Sequence, residues 1–211
     1  MIELEFIESP IYFHNSTIEY YTKNNIQNKV LTELNNTNFP INSSRKNISD
    51  KKTTSFALGE VNYRGQYFVD KKTRGPSKWN NKFPKLYKLL KLLIKFYKPN
   101  FDYTTIQVNK NVFSLPHIDK NNVGPSYAIA LGNFTGGKLV IEGTEYNIKN
   151  KFKKFDGTLG HWITSFIGDR YSLIYFTHTF KPPCPSLKHI KVQKFGLFKK
   201  DKLIKKYPKK L

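Results

Sequence analysis

The chain has 211 residues, 38% of them apolar, enough for one sizeable core. No run approaches the roughly 18 apolar residues of a membrane span, and the opening MIELEFIESP lacks a basic n-region, so neither a membrane partner nor secretion is expected. A single cysteine, Cys184, excludes an internal disulfide and a cysteine-based zinc site, which fits an intracellular setting (nuclear, or viral or host cytoplasmic) and leaves any metal to histidine and carboxylate. Basic residues outnumber acidic ones by 36 to 15, a net charge of +21, and 32 of the 36 are lysine. A polyanionic partner is one reading of that excess; the codon bias of an AT-rich genome is the other.

Residues 1–14 read as one or two strands, and residues 16–19 form a capping box ahead of helical apolar spacing in IEYYTKNNIQNKVLTEL. Residues 35–54 are rich in Asn, Ser, Thr and Lys, the composition of a polar surface loop or linker. FALGEVNYRGQYFVD alternates as a hairpin does. The basic KKTRGPSKWNNK leads to Pro84, a helix start, and the helix it opens shows Leu86, Leu89, Leu90, Leu93 and Ile94 on one face to about Tyr97. Lys85, Lys88, Lys91, Lys95 and Lys98 line the opposite face, as a solvated stripe or as a track for phosphates.

Beyond Phe101 come short segments separated by Gly, Pro or Asn: TTIQVN, SYAIALG, KLVIEG, TEYNI, HWITSFI and RYSLIYFTHTF. Recurrence at about 8–12 residues is the pattern of a sandwich or barrel. Residues 188–211 hold ten lysines against one aspartate. The expected fold is mostly β with flanking helices (α+β), built on a double-stranded β-helix, or jelly-roll, core at 55–187. A strand, helix and polar linker segment at 1–54 packs on that core, and a basic tail occupies 188–211.

The chemistry concentrates in four positions. His117 and Asp119 stand two apart, His161 follows Asp119 by 42 residues, and Arg170 follows His161 by nine. Two histidines and a carboxylate with open positions suit non-haem Fe(II) better than a closed tetrahedral zinc. On an extended segment His117 and Asp119 point the same way, as do Arg170 and Ser172, so that a guanidinium and a hydroxyl can clasp one carboxylate. An ion pair between Arg170 and Asp169 is the plainer alternative. His178 competes with His161 as third ligand but lacks a cation about ten residues further on in strand context, so His161 is preferred.

The stretches TTIQVNKN, PHIDKNNVGPSYAIALGNFTGGKLVIEG and FDGTLGHWITSFIGDRYSLIYF resemble the Fe(II)/2-oxoglutarate dioxygenases, most of all the group around the ten-eleven-translocation and base-J-binding-protein nucleobase oxygenases. The resemblance covers roughly residues 55–180 and is most specific at His117-x-Asp119, at the Gly124–Ser126 and Gly136-Gly137 turns, and at Gly-x-Arg-Tyr-Ser over 168–172. It implies that His117, Asp119 and His161 hold the catalytic Fe(II), that Arg170 and Ser172 bind the distal carboxylate of 2-oxoglutarate, and that Asn109 and Gln107 sit near this cosubstrate. O2 is then the second cosubstrate and ascorbate an optional reductant. The implied reaction hydroxylates a C–H bond, foremost the methyl of 5-methylcytosine or thymine in nucleic acid, DNA ahead of RNA. A base in a duplex must be flipped out to reach such a site. Residues 63–81 mix cations with aromatic rings, as a strand-binding groove requires. Arg64, Tyr67, Arg74 and Trp79, together with Asn121 and Asn122 beside the ligands, are the expected substrate contacts. Two alternatives stay open: a prolyl or lysyl peptide hydroxylase, and a non-catalytic basic β-barrel that binds nucleic acid.

Overall fold

The computed structural model describes residues 23–178 except 44, 46, 47, 50, 51 and 63–73. The strands expected at 1–14, the capping box and the lysine-rich tail lie outside the described residues. The chain divides into two compact units, Met1–Val61 with Pro76–His178, and Asn62–Gly75 with Thr179–Leu211. Only Asn62, Arg74 and Gly75 of the second are described, and the architecture below is that of the first.

Helix α1 (Lys23–Asn35) precedes β1 (Ile41–Asn42), β2 (Thr53–Asn62), β3 (Arg74–Pro76) and the helices α2 (Lys78–Lys82) and α3 (Pro84–Tyr97). Strands follow: β4 (Thr105–Lys110), β5 (Asn122–Leu131), β6 (Phe134–Gly136), β7 (Leu139–Ile141), β8 (Thr144–Tyr146), β9 (Lys153–Phe155), β10 (His161–Ile163), β11 (Phe166–Gly168) and β12 (Tyr171–His178). In the main sheet β1, β2, β4, β12, β5 and β9 lie side by side in that order, each antiparallel to its neighbours. Two smaller antiparallel sheets, β10–β7–β8 and β11–β6, complete the fold.

Successive residues of a strand face opposite sides, and here the two sides differ in kind. Phe56, Leu58, Ile106, Val108, Leu173, Tyr175 and Ile129 point outward and pack with Leu86, Leu90 and Leu93 of α3 and Ile26, Val30 and Leu34 of α1. The inner side contributes Ala128, Ala130 and Ile174, which meet Phe134, Leu139 and Ile163 of the smaller sheets. This sheet-on-sheet core is the jelly roll. The outer core is tied to α3 by Tyr175, whose buried hydroxyl donates to the Leu90 carbonyl at 2.9 Å.

Helix α3 matches its expected span and apolar face, with Leu92 buried as well. Lys85, Lys88, Lys91 and Lys95 are exposed, on the side of α3 turned away from the sheet. The helix expected from residue 18 is described over Lys23–Asn35. The first arm of the expected hairpin is the ten-residue strand β2; the second lies outside the described residues. HWITSFI divides into β10 and β11, which pair with different sheets. Strands β6 and β9, three residues each, carry too little alternation to show in the sequence. The polar stretch 35–54 packs on the core: β1 pairs with β2, and Ile48 is buried.

Leu93 is wholly buried between α3 and the sheet. Leu93→Ala is expected to cost about 2–5 kcal/mol, and Lys91→Ala to stay within about 0.5 kcal/mol, in urea unfolding followed by circular dichroism.

Candidate active site

His117 and His161 meet as an isolated antiparallel bridge, the amide of each donating to the carbonyl of the other at 3.1 and 2.9 Å. Asp119 is on no strand, and the same-face argument made for an extended 117–119 segment gives way to a different support. Pro116 has no amide to donate, pairing is confined to His117, and the Asp119 amide donates instead to Gly157 O at 2.8 Å. Asn122 Nδ2 donates to Asp119 Oδ2 at 3.3 Å.

The imidazoles are oriented by the backbone. Nδ1 of His117 lies 2.6 Å from Leu115 O, and Nδ1 of His161 lies 2.8 Å from Leu159 O. A carbonyl only accepts, so each Nδ1 carries the proton and each Nε2 offers its lone pair. Nε2 of His161 is 3.7 Å from Asp119 Oδ2. One donor atom from each of His117, Asp119 and His161 falls within 4.8 Å of the others, so the three can hold one ion. Burial, foremost, holds His117 below its ordinary pKa and favours the neutral form that ligates. His178 is no part of this group; it closes β12, opposite Asn122.

Arg170 enters the inner core just before β12 and is 1% exposed. Its guanidinium carbon lies 5.5 Å from the ring centres of both Phe134 and Phe166. Nε, Nη1 and Nη2 are all buried and have no hydrogen-bond partner among the described residues. The alternative pairing with Asp169 does not form, because Asp169 Oδ1 accepts from Asn111 Nδ2 at 3.0 Å. Asn111 also clamps the Arg170 backbone: its amide donates to Arg170 O at 2.8 Å and its Oδ1 accepts from Arg170 N at 2.7 Å. This requires φ of +53° at Asn111, a conformation asparagine tolerates. Gly137 (φ +63°) leaves the space the guanidinium fills, since a Cβ there would stand 2.7 Å from Arg170 Nε. Burial pulls the Arg170 pKa down from its ordinary value to about 10. A buried guanidinium with its nitrogens so placed has the donor set that suits an oxyanion.

Next to it, Ser55, Asn109, Ser172 and Ala130 stand in register across β2, β4, β12 and β5. Asn109 is the hub. Its Nδ2 donates to Ser172 Oγ at 3.1 Å, while its Oδ1 accepts from Gln107 Nε2 at 3.1 Å and from Arg45 Nη1 at 2.9 Å. A cavity of about 470 Å³ is lined by Gly124, Pro125, Lys154, Phe155, Asp156 and Thr158. Phe155 presents its ring edge-on to His161 at 5.3 Å.

The fold thus gathers His117, Asp119 and His161, and separately joins Ser172, Asn109 and Gln107 by hydrogen bonds, with Arg170 two residues before Ser172. Asn122 reaches the triad through Asp119, and Asn121 is exposed in the turn between them. Trp79 is not brought to the site: its ring packs on Phe56 and Phe83 on the helical side of the sheet. Arg74 is exposed in β3, and Arg64 and Tyr67 lie outside the described residues. Sequence reasoning missed Arg45 and Asn111. The first sits in a stretch without periodicity; the second has a signal only in being an asparagine at a strand end.

No family model matches the sequence, and no curated protein matches it. Among solved structures, an oxidoreductase of the 2OG-Fe(II) oxygenase family from Burkholderia pseudomallei superposes with a TM-score of 0.51 at 16% identity, over 74% of this chain and 79% of that one. The chain has the fold of a 2-oxoglutarate/Fe(II) oxygenase. It also aligns with NgTET1 in complex with 5mC DNA (TM-score 0.45, 15% identity, 67% of this chain and 69% of that one). A third match is OsALKBH1, with a TM-score of 0.43 and 11% identity over 74% and 92% of the two chains.

Stranded donors cost stability when no anion meets them. Arg170→Met, which keeps the stem and drops the charge, is expected to raise the stability of the ligand-free protein by roughly 1–3 kcal/mol in chemical unfolding.

Proposed function

We propose that the protein is an Fe(II)- and 2-oxoglutarate-dependent dioxygenase that hydroxylates a C–H bond, with the methyl of a pyrimidine base in nucleic acid as its substrate. The observation that carries the enzymatic reading is Arg170, a buried guanidinium with every nitrogen unpartnered in the jelly roll that also holds the histidine–carboxylate cluster. The residues fit the implied groups. His117 Nε2, Asp119 and His161 Nε2 would hold Fe(II), their Nδ1–H bonds to Leu115 and Leu159 fixing the rings. Arg170 and the Ser172 hydroxyl would take the distal carboxylate of 2-oxoglutarate, with Asn109 turning Ser172 toward it. Fe(II), with 2-oxoglutarate and O2, supplies the oxidising chemistry for the C–H bond.

Three features support a nucleic-acid substrate: the net charge of +21, the resemblance of the sequence to nucleobase oxygenases, and the cavity lined by Lys154, Asp156 and Thr158. There Asp156 and Thr158 offer polar groups for the edge of a base, and Lys154 offers a cation for phosphate.

The deciding measurement incubates the protein with Fe(II), 2-oxoglutarate and methylated DNA, methylated RNA or peptide pools, and follows succinate release and the gain of one oxygen atom by mass spectrometry. Oxidation of a pyrimidine methyl is expected; a product confined to peptides overturns the substrate, and no succinate with any pool overturns the enzyme. His117→Ala and Asp119→Ala are each expected to abolish succinate formation. Because burial holds the His117 pKa below its ordinary value, its protonation does not compete with the metal near neutral pH; Mn(II) affinity is expected to be the same at pH 8 and 7 and to fall at lower pH, which calorimetric titration reads.

A further inference from the structure

Helix α3 turns one face to the core and the other to solvent, and the solvent face is chemically uniform. Past Pro84, every exposed residue of the helix is a lysine: Lys85, Lys88, Lys91 and Lys95. From Lys71 to Phe101 the chain holds no Asp or Glu. At a rise of about 1.5 Å per residue, these side chains leave the helix about 4.5–6 Å apart along its axis, in a row about 15 Å long.

A face that only meets water has no need of such uniformity. Exposed helix faces ordinarily interleave acids with bases, because like charges three or four residues apart repel and opposite ones support the helix. Lys85 with Lys88, Lys88 with Lys91, and Lys91 with Lys95 are all like-charged pairs of this kind. The first turn has no acidic residue, although Lys85 stands there against the positive end of the helix dipole. Glu33 of α1 offsets that end by meeting Lys85 at 2.7 Å. Further along, Lys91 Nζ rests over the Tyr87 ring at 4.6 Å, a contact that leaves its charge in place. An AT-rich genome raises the count of lysine, but it does not by itself clear acids from a single face.

The row also faces away from the candidate active site. Leu86, Leu90 and Leu93 hold α3 on the outer side of the main sheet, whereas Asn109 and Ser172 belong to the inner side. The lysines therefore line neither the cavity nor the inner polar row. Nor can this helix lie in a bilayer surface, which needs an apolar face for the acyl chains; that of α3 is buried against the sheet. A straight, rigid row of ammonium groups fits a regular chain of phosphates, gripped without regard to sequence.

We propose that the outer face of α3, through Lys88, Lys91 and Lys95, is a second nucleic-acid surface, binding backbone phosphates on the side of the sheet away from the candidate active site. It rests on the reading of nucleic acid as partner, and it makes α3 a tether that holds the polymer independently of the oxidation.

Fluorescence anisotropy of a labelled, unmethylated duplex DNA measures binding by the full chain over a range of salt, without metal or cosubstrate. The logarithm of the binding constant falls with the logarithm of salt concentration by about 0.9 for each phosphate contact. Lys88→Gln/Lys91→Gln/Lys95→Gln is therefore expected to make this slope shallower by roughly 2–3, and Lys95→Gln alone by about 1. Both are expected to keep the native midpoint in urea. Lys52→Gln/Lys138→Gln/Lys151→Gln removes the same charge from exposed lysines outside α3 and is expected to change the slope less than half as much. An equal change in that control means that net charge alone is at work and overturns the proposal, as does a native slope in the α3 triple variant. Vesicles of phosphatidylserine and phosphatidylcholine are the second probe: a triple variant that loses vesicle binding and keeps DNA binding overturns it too. A chain that shows the expected loss on DNA yet releases no succinate with any substrate pool supports the surface and overturns only the dioxygenase reading.

Discussion

Strands β2, β4, β12 and β5 present alternate side chains to opposite sides of one sheet, and the rest of the molecule depends on which side each residue takes. On one side Phe56, Val108, Leu173 and Ile129 stand in register beneath the helices. One residue along, Ser55, Asn109, Ser172 and Ala130 form the opposite row. A slip of β12 by one position would press Ser172 into the helical core and drive Leu173 into the pocket. Stability and site are two readings of the same register, and the outer apolar row is what holds the inner polar row in place.

That inner row is costly. Hydroxyls, amides and guanidiniums inside a protein must find partners or lose stability. Asn109 satisfies most of this need, bridging three elements with one amide group. Arg170 is left out, although Asn111, Gly137 and two phenylalanine rings fix it firmly. Preorganisation of this kind spends folding energy on a geometry that only a ligand completes.

The sequence made the site's chemistry legible and left its supports hidden, for a physical reason. His117, Asp119, His161, Arg170 and Ser172 are few-of-a-kind residues in chemically meaningful spacing, and α3 announced itself by long, strict periodicity. The three-residue strands β6 and β9 have no period to read. Asp119 follows a proline and is positioned by a distant carbonyl, Gly157 O, which no local pattern encodes. Arg45 lies in a stretch whose composition signals solvent, and only the long-range contact between Ile48 and Leu115 brings it inward. Trp79 shows the reverse error: aromatic and basic neighbours look like a binding surface, yet the ring is committed to Phe56 and Phe83.

The bridge between His117 and His161 joins the two imidazoles through their own amides and carbonyls. The same two residues that would share an ion also share a pair of backbone hydrogen bonds, which fix their main chains relative to one another. Opening this short ladder and releasing whatever lies between the rings are one thermodynamic event. Amide hydrogen exchange at these two positions is therefore a built-in gauge of site occupancy, slowing at both together when the centre is filled.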